Sequence, residues 1–268
     1  MNWKKQYQKA LTFSYDDGNV QDKKLLDILN RYGMKCTFNV NTGLDFDHGT
    51  WVYRDVLEVH RLNLAECPEL YAGHEMAVHG VYHYNLTELS PAELTAELQE
   101  NAETITKLYG TAPVGMAYPY GVYNDTVIAE LNRLGIRYAR GVESSHSFAE
   151  QADLMRFQPT CHHDDPQLFD LAKQFLESEP ETPQIFYIWG HSYEFEGQQN
   201  WDRLERFLRE ILPVAEEAGV EMALHPDDPP FEGLRQTPRL VYQPELYQKV
   251  IDISSSPSNK LEFCMGSI

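Results

Sequence analysis

The chain has 268 residues, 42% of them hydrophobic, which is enough apolar material for one large α/β domain or two small ones. A net charge of −19, from 41 acidic against 22 basic residues, argues against nucleic acid or an anionic membrane as a partner, because little in the chain could neutralise phosphates. No apolar run approaches the ~18 residues of a membrane-spanning helix, no apolar segment follows the basic start, and the four cysteines (Cys36, Cys67, Cys161, Cys264) show no paired spacing, so a cytoplasmic protein without a disulfide framework is expected.

Leu11 to Gly18 reads as a short apolar strand that ends on Asp16, Asp17 and a glycine. Side chains at the C-terminal tips of parallel strands converge at one end of the sheet, where α/β proteins place their chemistry. An Asp-Asp-Gly turn of no functional consequence is the plain alternative. A helix is predicted over Val20 to Tyr32 and a strand over Lys35 to Val40. The mixed stretch from Thr42 to Gly73 predicts a helix over Tyr53 to Leu64. Glu75 to His79 is again a short apolar strand ending on a functional group. Pro91 to Tyr109 carries Ser90 as N-cap, Pro91 in the first turn and Glu93 for a capping box, the strongest helix signal in the chain.

The alternation continues with strands at Val114 to Tyr118, Ile136 to Arg140, Met155 to Thr160 and Ile185 to Trp189. Helices are expected at Asn124 to Leu134, Pro166 to Leu176 and Trp201 to Ala218. Val220 to Leu224 and Leu261 to Cys264 read as strands and Pro244 to Ile253 as a helix. Strands and helices alternating at this pitch imply parallel βα units, and eight or nine of them favour a closed barrel over a small open sheet.

Chemistry collects at the strand ends. His79 and His83 lie four apart directly after the third strand, and two neutral imidazoles at that spacing can share one metal ion. With ten histidines in the chain, such a pair also arises by chance. A carboxylate plus two histidines leaves an open coordination position, as catalytic ions require. His191 follows an apolar strand, as either a core histidine or an acid–base group. Cys161-His162-His163-Asp164-Asp165 offers further donors, though consecutive side chains diverge and at most two would reach one ion. His162 or Cys161 is read there as a substrate contact or site lining, with a second metal site and a plain polar loop as the alternatives.

Four of these segments together resemble the polysaccharide deacetylase (NodB-homology) family over residues 8 to 200. The carriers are Ser14-Tyr15-Asp16-Asp17-Gly18, His79 to His83 with Gly80 where the family has a hydroxyl residue, Pro119-Tyr120-Gly121, and the strand ending at His191. The resemblance implies a distorted (β/α)7–8 barrel and a metal-dependent hydrolase that removes an acetyl group from an N-acetylated sugar or related small amide. Asp17, His79 and His83 would hold a divalent metal, zinc by preference with cobalt, manganese or nickel as alternatives. The bound water would attack the amide carbonyl with Asp16 as general base. Tyr120, next to Pro119, would supply the oxyanion N–H, and His191 would protonate the leaving amine. Ala117 stands where the family's third motif has an arginine; Arg140, at the end of the next strand, is the candidate replacement, with a solvent-facing charge as the alternative. A fourth motif is not found.

From Trp201 onward the chain instead resembles mannonate dehydratase, on Trp201 to Arg209, Pro213 to Gly219, Met222 to Pro230, Ser256 to Asn259 and Leu261 to Ser267. That likeness implies a second metal set containing His225 and Cys264, and a sugar-acid lyase as the rival reading; a non-catalytic carbohydrate-binding barrel is a third. Two ligands alone make no such site, so residues 201–268 are expected to serve as scaffold, completing or extending a barrel formed by residues 1–200.

Overall fold

Strand β1 (Lys9–Asp17) runs through the interior of a seven-stranded sheet, flanked by β2 (Cys36–Val40) and β9 (Gln184–Gly190). The computed structural model describes residues 8–217 and four short strands beyond them, Met222–Leu224, Gly233–Leu234, Thr237–Pro238 and Asn259–Leu261. The other strands of the main sheet are β5 (Glu75–Val78), β6 (Gly115–Ala117), β7 (Tyr138–Arg140) and β8 (Cys161–His162), in the order β7-β6-β5-β2-β1-β9-β8. Every pairing among them is parallel. The last five residues of β1 and all of β2 are buried on both faces, as parallel strands covered by helices must be.

Helices α1 (Asp22–Arg31), α2 (Pro91–Tyr109), α3 (Asp125–Arg133), α4 (Leu168–Glu177) and α6 (Trp201–Glu217) connect or cover the strands. The predicted caps of α2 are present: Ser90 and Glu93 form a reciprocal capping box, and Gly110 closes the helix in the left-handed region. Leu204, Phe207, Leu208 and Ile211 of α6 are buried in the main core, with Phe207 edge-on to Phe13 at 6.3 Å and to Phe186 at 6.1 Å. Helix α6 is therefore part of the barrel's own packing.

Two predicted elements are corrected. Residues 53–64 are not a helix: Trp51–Tyr53 (β3) and Leu57–Val59 (β4) form an antiparallel hairpin. Arg54 and Asp55 both take positive φ, and Val56 donates its N–H to the Tyr53 carbonyl at 3.0 Å, which is the backbone of a type I′ turn. Apolar residues at 53, 56, 57 and 59 fit both periods over so short a run.

The strand expected at Met155 to Thr160 is a 3-10 turn at Leu154–Arg156, a single parallel bridge from Phe157 to Arg140, and then β8 at Cys161–His162. Pro159 has no N–H to contribute to a ladder, so the pairing breaks there. The consequence is architectural. Phe157 bonds to β7 through Ala139 and Gly141, while Thr160 N–H reaches Tyr187 of β9 at 2.8 Å. One interrupted segment thus touches both ends of the curled sheet, and the expected distorted barrel closes through a broken strand.

Beyond residue 217, Met222–Leu224 (β10) pairs in parallel with Asn259–Leu261 (β13). Of the strand expected at Leu261 to Cys264, only Leu261 lies among the described residues, and it is in β13. The helix predicted at Pro244 to Ile253 and the proposed ligands His225 and Cys264 lie outside the described residues.

Candidate active site

Because β5, β2 and β1 are neighbours in parallel register, their C-terminal tips deliver Asp17, Asn41 and His79 to one place. Asp17 Oδ1 lies 3.6 Å from His79 Nε2 and 3.7 Å from His83 Nε2. Two bonds of about 2.0–2.1 Å to a tetrahedral ion would set such donors roughly 3.3 Å apart. The donor atoms are also the unsatisfied ones: Asp17 Oδ1 and His79 Nε2 are buried without a hydrogen-bond partner. Leaving such atoms unpaired is costly unless something fills the gap between them. The residues fit a divalent ion.

The tautomers agree. His79 Nδ1 sits 2.7 Å from the Ala117 carbonyl, which can only accept, so the proton is on Nδ1 and the Nε2 lone pair is free. Burial, reinforced by neighbouring His79, pushes His83 down to about 4, so its imidazole is neutral at pH 7. Burial would raise the Asp17 carboxyl, but Arg61 together with His79 and His191 overrides this and holds it well below its usual range. Arg61 Nη1 is 2.8 Å from Asp17 Oδ1, yet its two hydrogens go to the Asp17 carbonyl and to Asn41 Oδ1, both at 2.6 Å. That leaves Oδ1 electrostatically compensated but free as a donor.

Asp16 is fixed from the opposite side. Arg140 is fully buried, which removes the solvent-facing alternative. Its Nη2 pairs with Asp16 Oδ1, its Nε donates to Ser14 at 3.2 Å, and its guanidinium lies over Trp189 at 4.7 Å. Asn39 Nδ2 donates to the same Asp16 Oδ1 at 2.8 Å, so Oδ2 receives neither donor. Burial disfavours the charge on Asp16, Arg140 with His79 and His191 outweighs it, and the net shift is downward.

His191 closes the site, with Nε2 4.0 Å from Asp17 Oδ2. Behind it stands Glu194, on the short helix α5 (Ser192–Gly197), which the sequence reading did not anticipate. Glu194 Oε2 accepts the His191 backbone N–H at 3.0 Å and lies 3.3 Å from His191 Nδ1 and 3.0 Å from His162 Nε2. Burial opposes a charged His191, but Glu194, Asp17 and Asp16 raise it to about 9. His162 Nδ1 accepts the Asp164 N–H at 3.1 Å, so its Nε2 carries the proton toward Glu194. His162 thus shares Glu194 Oε2 with His191, the donor atoms of all three lying within 4.8 Å of one another. Cys161 is buried, and burial pushes its thiol up to about 12.

Backbone strain marks the same corner. Asp17, His83 and Tyr120 all have positive φ (87°, 61° and 59°), a conformation that costs non-glycine residues about 1–3 kcal/mol each and clusters at functional sites. The Tyr120 ring stands edge-on to His83 at 4.6 Å and is exposed, while Pro119 is buried beneath the turn. Gly80, where a hydroxyl residue was expected, has φ +79°, and an added Cβ would meet Glu97 Oε1 at 2.7 Å. Glu97 instead accepts the Tyr82 N–H at 2.7 Å, capping the loop that carries His83.

Residues 4–139, just over half the chain, match the polysaccharide deacetylase family. The chain belongs to that family. Residues 184–268 match D-mannonate dehydratase, a match that takes in β9 and so reaches upstream of Trp201. Among curated relatives, the mannonate dehydratase of Streptococcus equi subsp. zooepidemicus is 29% identical over 171 residues, covering 64% of this chain and 44% of that protein. The Bacillus subtilis mannonate dehydratase is 53% identical over 70 residues, 25% of this chain and 19% of that one. The chain thus spans less than half the length of these curated relatives. Among solved structures, a peptidoglycan N-acetylglucosamine deacetylase superposes with TM-score 0.51 at 18% identity, covering 80% of this chain and 85% of that one. The chitin deacetylase of the fungus Colletotrichum lindemuthianum gives TM-score 0.50 at 19% identity, over 77% and 84%. These structures share the deacetylase family's fold.

The residues missed by sequence reasoning are Arg61, Asn39, Asn41 and Glu194. Asn39, Asn41 and Arg61 belong to no motif, so only Glu194, three residues after His191 at capping-box spacing, left a readable signal.

Proposed function

We propose that this deacetylase-family chain is a metal-dependent amide hydrolase that removes an acetyl group from an N-acetylated sugar. The observation that carries the reading is the convergence of Asp17 Oδ1 with the two imidazole nitrogens at 3.6 and 3.7 Å, the Asp17 oxygen and the His79 nitrogen being buried and unpaired. Asp17, His79 and His83 would hold the ion, zinc being favoured by two nitrogens and a carboxylate. When bound, a divalent metal supplies a water of lowered pKa and a polarised carbonyl.

The chain's own groups do the rest. Asp16, ionised and anchored through Oδ1, presents Oδ2 as the base that takes a proton from the attacking water. Arg140 keeps that carboxylate charged and oriented, the role left open by Ala117. His191, kept protonated by Glu194, whose Oε2 lies 3.3 Å from its Nδ1, gives its Nε2 proton to the departing nitrogen, which cannot leave as an amine anion. His162 steadies Glu194, while Tyr120 and Pro119 form the wall beside His83. Exposed Tyr82, Tyr84 and Tyr120 offer flat apolar faces of the kind that pack on sugar rings. Residues 1–200 would form the catalytic barrel and residues 201–268 its scaffold. The dehydratase likeness of residues 184–268 supports a sugar-acid lyase as the second reading; it would require His225 and Cys264.

Acetate release from N-acetylglucosamine and its short oligomers tests the proposal, with chelated protein reloaded with zinc, cobalt or manganese. Release should return with metal in the wild type and fall at least 100-fold in Asp16→Asn and His79→Ala. Release from none of these substrates with any metal, or release indifferent to chelation, sinks it. Dehydration of a sugar acid by the same preparation would support the second reading instead.

A further inference from the structure

The strand ladder ends at the residues that matter, so something other than register must fix them. Asp17 is the last residue of β1, and its φ of 87° turns the chain out of the sheet; His79 lies one residue past β5. We infer that Arg61 and Asn41 form a clasp that sets the spacing of Asp17 and His79, and hence the affinity of the site for its metal. This rests on the metal-site reading above.

The atoms make one continuous chain of bonds. Arg61 Nη1 donates to the Asp17 carbonyl and to Asn41 Oδ1, each at 2.6 Å. The Asn41 amide nitrogen donates in turn to the carbonyls of His79, at 2.6 Å, and of Gly80, at 3.1 Å. Its orientation is dictated by its neighbours: the side facing a guanidinium must be oxygen, and the side facing two carbonyls must be nitrogen. One guanidinium and one amide therefore cross-link the tips of β1, β2 and β5 at the level of the ligands. Both side chains are buried.

Arg61 is itself held. Its backbone bridges Asn19 in antiparallel sense, Leu62 N–H reaches the Gly18 carbonyl at 2.8 Å, and its guanidinium lies over Trp51 at 4.9 Å. The β3–β4 hairpin thus supports the clasp, which gives that hairpin a task. Because both Nη1 hydrogens go to the Asp17 carbonyl and Asn41, the clasp fixes the aspartate without taking its ligand oxygen. Arg61 and Asn41 are positioning residues in this scheme, since neither offers a free donor to an ion.

Arg61→Lys keeps the charge on a side chain one bond shorter, whose ammonium falls short of the place Nη1 holds between the Asp17 carbonyl and Asn41 Oδ1, so it separates geometry from electrostatics. Asn41→Asp keeps the acceptor for Arg61 and places oxygen against the His79 and Gly80 carbonyls. Zinc affinity of the apoprotein, measured by competition with a chromophoric chelator, should weaken about 10- to 100-fold in each folded variant, the usual effect of disturbing groups that orient ligands. The double variant should be no weaker than about the worse single, because one clasp is broken either way. His79→Ala, run alongside, should abolish the high-affinity site. Wild-type affinity in either variant with an intact circular-dichroism spectrum overturns the clasp. If Arg61→Lys does not fold, Asn41→Asp and the smaller Asn41→Ser decide by the same criterion. A wild-type protein that takes up no zinc would instead overturn the metal-site reading itself.

Discussion

Arg140→Met should convert the best-compensated carboxylate of the site into its largest liability. Asp16 and Arg140 are both almost entirely buried, and the pairing is reinforced by Asn39 and Ser14. Two unit charges about 4 Å apart at an effective dielectric of 20 attract by about 4 kcal/mol, and removing one partner of a buried pair costs about 3–5 kcal/mol. Against a total stability of about 5–15 kcal/mol, that loss is easily measured by urea denaturation at pH 7. The sign of its pH dependence follows. With Arg140 present the Asp16 carboxyl is shifted down from 3.8. Without it, burial dominates and the folded-state value rises above the unfolded one. The deficit of Arg140→Met should therefore be small near pH 4, where Asp16 takes up its proton, and grow as pH rises through the new folded value. Adding Asp16→Asn should restore most of the loss, because no uncompensated charge remains. A single variant within 1 kcal/mol of wild type, or a double as unstable as the single, would refute the pairing argument.

Glu194→Gln bears on catalysis more than on folding. The charge on Glu194 helps hold His191 at about 9, so the basic limb of the pH–activity profile, where the acid loses its proton, should move to lower pH; an unmoved limb would detach Glu194 from His191. Gly190→Ala tests packing at the same place. An added Cβ would fall 2.0 Å from His163 Nδ1, whose ring is stacked 4.1 Å from Phe195, so a loss of about 1–3 kcal/mol is expected in the urea midpoint, and a neutral substitution would show that the imidazole can retreat.

The alternation of strands and helices, the caps of α2 and the strand-end placement of Asp16, Asp17, His79 and His191 were legible in the chain because they depend on local periodicity and on short motifs. The hairpin at Trp51–Val59 was not, since a run of so few apolar residues fits either period until a partner strand selects one. The break at Pro159 could be read as a missing donor, but its role in closing the barrel depends on two strands far away in sequence.

The sequence by itself determined the parallel α/β class, the aspartate and histidines that gather at one rim, and a likeness to two families in one chain. Tertiary structure alone decided that Arg140 compensates Asp16, that Arg61 reaches Asp17 across 44 residues, and that Glu194 serves His191 and His162 together. Those assignments are electrostatic, and electrostatics depends on distance and burial, which a linear order of residues does not contain.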